Sequence, residues 1–298
     1  MERRTFLQLL GGGFMGWSVL ANRRIQAASL PDASWKKAVN LSMVKADLSL
    51  REKFQLLQDL GFDGVELNSP NDLDRAAVVD ARDATGLHIH GVVDSVHWRK
   101  TLGDSDPAVR EEGREGLIAA IEDAQAYGAD TVLLVPAVVT ADIPYDQAYR
   151  RSQAEIRRVL PVAEEHRITI AVENVWNRFL YSPLEMARYI DELESPWVRS
   201  YFDVGNVVTF GWPEQWIRIL GHRIAKVHIK EYSRAKRDAE GPSAGFRVPL
   251  GEGDIDWPAV RASLQEGGYR GWITAEIPGG DARRLQEIVG RMNQVLDL

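Results

Sequence analysis

Short apolar, β-branched runs alternate with amphipathic stretches through most of the chain, and this predicts a repeating strand–helix unit. Strand one is expected over residues 39–44. A helix follows over 50–60, with Gly61 as its closing residue. Strand two covers 64–67 and helix two 72–85, ended by Gly86. Strand three covers 87–93. A long amphipathic helix over 107–127 ends at Gly128. Strand four covers 131–135 and helix four 145–166. Four more apolar runs read as strands five to eight, near 168–173, 200–203, 224–228 and 272–276. Helices near 183–194, 213–220 and 257–266 separate them, and a last helix covers 282–295. Residues 232–256, rich in Gly, Pro, Ser and charge, read as an irregular loop after strand seven, long enough to cover a site.

Eight strands alternating with helices through short connections argue for an α/β fold of the (β/α)₈ type, a TIM barrel. The length of 298 residues suits one such domain with extensions. An open doubly wound sheet would want a Gly-rich phosphate loop after strand one. Val44-Lys45-Ala46-Asp47 is not one, and Leu10-Gly-Gly-Gly13 follows no strand.

The last four strands carry the chemistry. Glu173 ends strand five, Asp203 strand six, His228 strand seven and Glu276 strand eight. One strand-terminal carboxylate commonly caps the next helix. Four such residues on four successive strands meet at the single mouth where barrel strand ends converge. Three carboxylates and an imidazole suit a divalent cation: Mn²⁺ or Mg²⁺ first, with Zn²⁺ or Co²⁺ also accepted.

The N-terminus changes the domain picture. Adjacent Arg3 and Arg4, a Gly-containing apolar stretch over 9–21, and small residues at Ala27 and Ala28 read as a twin-arginine export signal over 1–28. The barrel then spans 29–298, and a periplasmic location is expected, with the cytoplasm as the alternative. There is no cysteine, so no disulfide and no thiolate metal site. No apolar run is long enough for a membrane span. Residues 1–28 hold four arginines and one glutamate, so their removal takes the net charge from −7 to −10. That acidity argues against nucleic acid as a partner. A small-molecule substrate is expected, and a homo-oligomer is compatible with the sequence.

The segments Gly61-Phe-Asp-Gly-Val-Glu66-Leu, Ala171-Val-Glu173-Asn174, Phe202-Asp203-Val-Gly-Asn206, His228-Ile-Lys230-Glu231, Gly251-Glu-Gly253-Asp-Ile-Asp-Trp257 and Ala275-Glu276 resemble the xylose-isomerase-like sugar isomerase and epimerase superfamily. The resemblance covers about residues 38–295. Ser95-Val-His97-Trp98 and the helix start at Asp106 are similar to the ketose-5-phosphate 3-epimerases, once labelled hexulose-6-phosphate isomerases. The resemblance implies Glu173, Asp203, His228 and Glu276 as metal ligands, with Glu173 and Glu276 also as the proton-transfer pair. It implies substrate binding by Arg234. Asn206 stands where free-ketose epimerases often carry a substrate-binding histidine, a departure shared with the phosphopentulose subgroup.

Such a site would epimerise or isomerise a sugar. The cation stabilises the enediolate, one carboxylate takes the proton and the other returns it. His97, beside Trp98, and Glu66, at the end of strand two, are further candidates for substrate binding. Glu231 is a candidate support for a ligand. Lys230, Arg99, Lys100 and Arg247 are candidate holders of an anionic group. An exported enzyme favours a free sugar or an oxidised glycoside over a sugar phosphate, so a 3-keto-glycoside lyase or hydrolase is the main alternative. An apurinic-endonuclease-type nuclease would need more histidines and a basic face. A non-catalytic sugar-binding barrel would not need the ligand quartet.

Overall fold

The computed structural model describes residues 35–298; the expected export signal lies outside them. Among the described residues there are eight strands: β1 (Lys36–Asn40), β2 (Gly64–Ser69), β3 (His88–Asp94), β4 (Thr131–Leu134), β5 (Thr169–Glu173), β6 (Val198–Asp203), β7 (Ile224–Ile229) and β8 (Trp272–Ala275). They pair in chain order, β8 returns to β1, and every pair is parallel. The barrel is therefore closed and has no exposed edge.

The helices that connect these strands are α1 (Leu50–Asp59), α2 (Arg75–Thr85), α3 (Pro107–Tyr127), α4 (Tyr145–His166), α5 (Pro183–Asp191), α6 (Val204–Val207), α7 (Pro213–Leu220), α8 (Arg234–Glu240), α9 (Trp257–Glu266) and α10 (Ala282–Leu296). Their starts follow capping chemistry. Asp74, Asp106, Asp256 and Asp281 accept hydrogen bonds from the first-turn amides of α2, α3, α9 and α10. Proline opens α3, α5, α7 and α9, where its missing N–H costs nothing.

Two expectations need correction. Strand one ends at Asn40, and a 3₁₀ turn over Leu41–Met43 follows, because the Asn40 side chain accepts from Ser42 N and turns the backbone. The 232–256 segment is not wholly irregular. It contains α8 and a 3₁₀ turn over Pro242–Phe246, tied down by Arg234 and Arg237 to the carbonyls of Val208, Thr209 and Gly211.

Side chains alternate across each strand, and here the alternation separates two chemistries. Val65, Leu67, Val132, Leu134, Phe202 and Val227 belong to the large apolar core of the molecule. Their neighbours Glu66, Tyr201, His228 and Thr274 contact one another across the barrel interior. The interior is thus largely polar, with Lys226 and His90 buried in it as well, and it holds a small apolar cluster of Leu133, Ala171 and Tyr201.

Candidate metal centre

The register brings the four expected ligands level. Glu173 is opposite Tyr201, Asp203 opposite His228, and His228 opposite Thr274, two residues before Glu276. The Glu276 amide donates to Ile229 O at 3.0 Å, which keeps Glu276 in line although β8 has ended. One ligand atom from each of Glu173, Asp203, His228 and Glu276 falls within 4.8 Å of the others. His228 Nδ1 is 3.1 Å from Glu173 Oε1 and 3.8 Å from Glu276 Oε2. Glu173, Asp203 and His228 are buried, while the Glu276 side chain is 46% exposed at the mouth.

This arrangement fits a divalent cation. The donor set is three hard oxygens and one imidazole, as Mn²⁺, Mg²⁺, Co²⁺ or Zn²⁺ accept. Asp203 Oδ2 is fully buried and makes no hydrogen bond to the described residues; Lys230 Nζ, 3.0 Å away, lies outside hydrogen-bond geometry. That oxygen leans on the Lys230 ammonium alone for compensation, which leaves it an acceptor that a cation could share. Asp203 is also held rigidly. Its Oδ1 accepts from Asn206 N at 2.7 Å, its amide donates to Asn174 Oδ1 at 2.8 Å, and Asn174 Nδ2 donates to its carbonyl at 2.8 Å.

The electrostatics follow from crowding acids in a closed space. Burial, and then the neighbouring Glu276 carboxylate, push Glu173 up to about 7. Burial would raise Glu276 as well, but the Lys230 ammonium and then His228 hold it below the usual carboxylate range. Burial disfavours a charged His228, yet the surrounding Glu66, Glu173 and Glu276 keep the ring well above its ordinary value. Two carboxylates of one cluster are thus pushed in opposite directions, the pattern expected of an acid–base pair.

The remaining candidates divide. His97 is buried and lines the cavity over the cluster; its Nδ1 accepts from Val135 N at 3.2 Å. Burial lowers it to about 4, so the ring is neutral with Nε2 as its donor. Asn206 also lines the cavity, with Nδ2 donating to Asn174 O at 2.9 Å. Glu66 lines the cavity as well, against His228, and both its oxygens are engaged. Oε2 is 3.1 Å from His228 Nε2, and Oε1 accepts from Tyr201 Oη and from Thr274 Oγ1. Burial would raise Glu66, but His228 brings it down to about 2. Arg234 is not brought to the cavity. Its guanidinium donates to Val208 O and Gly211 O and lies over the Trp212 ring. Glu231 does not touch a ligand either: it accepts from Gly251 N and Trp257 Nε1 and so folds the segment ahead of α9.

Sequence reasoning missed the Asn174 clamp on Asp203 and the Tyr201–Glu66–Thr274 group. Tyr201 could have been found, because it lies two residues before Asp203 and so shares its inward face.

The cavity above the cluster measures about 560 Å³. Comparison with known proteins agrees with this architecture. The chain is 29% identical over 259 residues to L-ribulose-5-phosphate 3-epimerase UlaE of Escherichia coli O157:H7, covering 80% of this chain and 88% of that protein. Among solved structures it resembles the 3-keto-D-glucoside 4-epimerase YcjR from E. coli in its apo form, at TM-score 0.73 and 18% identity, over 89% of this chain and all of that one. It also resembles the IOLI protein with a binding zinc atom, at TM-score 0.73 and 16% identity, over 88% of this chain and 98% of that one. The sequence profile described as xylose isomerase-like TIM barrel matches residues 54–294. The chain belongs to the xylose isomerase-like TIM barrel family.

Proposed function

We propose that this protein is a divalent-metal-dependent sugar epimerase or isomerase that moves a proton on the carbon beside a carbonyl. One observation carries the reading: Glu173, Asp203, His228 and Glu276 each bring one ligand atom within 4.8 Å of the others, and Glu173 and Glu276 both line the cavity above that cluster. Glu173, Asp203, His228 and Glu276 would hold the cation. When bound, it supplies Lewis-acid stabilisation of the negative charge that develops beside the carbonyl.

The residues do the rest. A carboxylate takes the proton from one face of the sugar and the second delivers one from the other face, which inverts the carbon. Delivery to the adjacent carbon instead interconverts aldose and ketose. His97 Nε2–H and Asn206 offer hydrogen bonds to sugar hydroxyls, and Trp98 and Trp176 give the cavity apolar walls. The 29% identity to an L-ribulose-5-phosphate 3-epimerase supports the same reaction class. We further propose that residues 1–28 direct export through the twin-arginine route. A reporter fused behind them should stop being exported when Arg3 and Arg4 are both changed to Lys, and unchanged export would refute this.

The test of the chemistry is solvent-deuterium incorporation, screened over ketoses, ketose phosphates and 3-keto-glycosides with Mn²⁺ present. Glu276→Gln and Glu173→Gln keep an acceptor oxygen for the metal but cannot take the proton. Each should retain metal and lose at least about 10² in turnover. Near-wild-type turnover in either variant, with metal bound, would refute the two-carboxylate mechanism.

A further inference from the structure

A neutral imidazole carries one N–H, on Nδ1 or on Nε2, and only the bare nitrogen can bind a cation. Which nitrogen is bare depends on what the other one meets. His228 is the one imidazole in the cluster with Glu173, Asp203 and Glu276, so its tautomer decides whether that cluster offers four donors or three. Its Nδ1 faces the cluster, 3.1 Å from Glu173 Oε1 and 3.8 Å from Glu276 Oε2. Its Nε2 meets Glu66 Oε2 instead, at 3.1 Å.

Glu66 is itself held from three other strands. It comes from β2 and is 1% exposed. Its second oxygen, Oε1, accepts from Tyr201 Oη of β6 and from Thr274 Oγ1 of β8, the latter at 3.2 Å. Thr274 Oγ1 is in turn 3.1 Å from His90 Nε2. His90 falls in a bulge of β3, where Val65 pairs with Ile89 but Glu66 pairs with Gly91. Bulges re-aim side chains, and this one places the His90 ring against Thr274. Tyr201 also packs on His228 directly, with ring centroids 4.3 Å apart. Tyr201, Thr274 and His228 are all buried. Two hydroxyls therefore point hydrogens at Oε1, and Oε2 is left to accept from His228 Nε2.

Resting on the metal reading above, we propose that Glu66 is a positioning residue: held by Tyr201 and Thr274, it keeps the ring hydrogen on His228 Nε2 and so leaves Nδ1 bare toward Glu173 and Glu276. Both Glu66 oxygens are committed to this task. Control of a ligand thus takes the place of the substrate-binding role that the sequence suggested for Glu66.

The arrangement has a consequence that packing alone would not give. Glu66→Gln keeps the shape of the carboxylate but not its symmetry, because an amide has one acceptor end and one donor end. The hydroxyls of Tyr201 and Thr274 draw the amide oxygen to the Oε1 position. The amide NH₂ then meets His228 Nε2, which must accept, so the ring hydrogen moves to Nδ1 and blocks it as a donor to a cation. Removing the Tyr201 hydroxyl relaxes the choice. The amide can then turn, giving its oxygen to His228 Nε2–H and its NH₂ to Thr274 Oγ1, a hydroxyl that accepts as well as donates.

Calorimetric titration of Mn²⁺ into the metal-free full chain tests this. Glu66→Gln should weaken binding by roughly 10–100-fold. Tyr201→Phe alone should change it by less than about threefold, since both carboxylate oxygens remain acceptors. Added to Glu66→Gln, Tyr201→Phe should recover at least about fivefold in affinity, although it removes a further buried hydroxyl and lowers Tm. A merely structural role gives the opposite order, with the double variant binding no better than Glu66→Gln. That order overturns the proposal, and so does wild-type affinity in Glu66→Gln. Should the Glu66 variants fail to fold, the wild type decides. In the Zn²⁺-loaded protein, nitrogen–proton NMR correlations of the His228 ring, assigned by their absence from His228→Gln, should show the hydrogen on Nε2 and the metal on Nδ1. Metal on Nε2 overturns the proposal. Each of these results leaves the metal reading standing, because the wild type still binds the cation. A wild type that binds neither Mn²⁺ nor Zn²⁺ overturns the metal reading and this inference together.

Discussion

At the scale of single residues, the structure holds more buried charge than the ligand set requires, and Asp94 shows what that costs. Asp94 ends β3, is 1% exposed, and uses Oδ1 to accept from Val96 N at 3.0 Å, which shapes the turn that presents His97. Its Oδ2 has no partner among the described residues, and burial pushes the carboxyl up to about 7. An acid whose folded-state value is raised favours folding in its protonated form. The native state is therefore unpenalised below about pH 4 and loses stability as pH rises toward 7, where Asp94 must ionise without compensation. Asp94→Asn keeps the Oδ1 acceptor and removes the charge. The variant should be more stable than wild type at pH 8, by a few kcal/mol at most, since each tenfold change in acidity is worth about 1.4 kcal/mol. The gain should vanish near pH 4. Denaturant titrations at the two pH values measure it, and a variant no more stable at pH 8 would contradict the assignment. None of this is legible in sequence. The four proposed ligands were readable because they stand at the ends of four successive strands, which meet at one mouth. The environments of Asp94 and Glu66 depend on contacts across the barrel, as Glu66 Oε1 to Thr274 Oγ1 shows, with 208 positions between them.

At the scale of elements, the helices whose apolar stripe faces the barrel were readable, and α8 was not. Its sequence, Arg-Ala-Lys-Arg-Asp-Ala-Glu, has no buried residue, so hydrophobic periodicity carries no signal there; it is positioned by its arginines bonding to neighbouring carbonyls. The opposite case is α3, whose limits follow from Pro107 and Gly128. Its interior glycines serve packing. A Cβ on Gly113 would stand 2.1 Å from Lys100 O, and one on Gly116 would stand 2.3 Å from Val96 Cγ2. These two positions let the segment bearing His97 and Trp98 lie flat on the helix. Gly290, inside α10, is exposed and has nothing within 4 Å of a built Cβ. The same substitution should therefore act with opposite sign. Gly290→Ala should stabilise by about 0.5–1 kcal/mol, the helix-propensity difference, raising Tm by roughly 1–2 °C. Gly113→Ala should destabilise and raise KM through the displaced loop while leaving metal content unchanged. Calorimetry of both variants, with metal analysis of the second, checks this; stabilisation by Gly113→Ala would show that the loop packing is not as tight as described.

At the scale of the whole molecule, barrel closure followed from eight repeated strand–helix units, and closure is what joins distant residues into one site. The four clustered residues span positions 173 to 276, and His228 is buttressed by Glu66 of β2 across the interior. A cation bound at this point would tie β5, β6, β7 and the end of β8 together, and it would bind the folded state only. Linkage then predicts the effect on global stability. At a free Mn²⁺ concentration 100 times the dissociation constant, folding gains about 2.7 kcal/mol, and a further tenfold excess adds about 1.4 kcal/mol. For a chain of this size the first step corresponds to a rise in Tm of roughly 5 °C. EDTA should reverse it. His228→Ala should remove the Mn²⁺-dependent rise. Since the imidazole is buried against Glu66 and Glu173, its loss should also lower the metal-free Tm by leaving those carboxylates without their partner. The two effects separate experimentally, because one depends on Mn²⁺ and the other does not. Binding should also release protons at pH 6.5, since His228, held protonated by its carboxylate neighbours, must lose its proton and Glu173, pushed up by burial, must ionise before either can act as a ligand. Calorimetric titration of Mn²⁺ in buffers of different ionisation enthalpy reads that release directly. An Mn²⁺-dependent rise in Tm that persists in His228→Ala at wild-type size would place the cation elsewhere in the molecule.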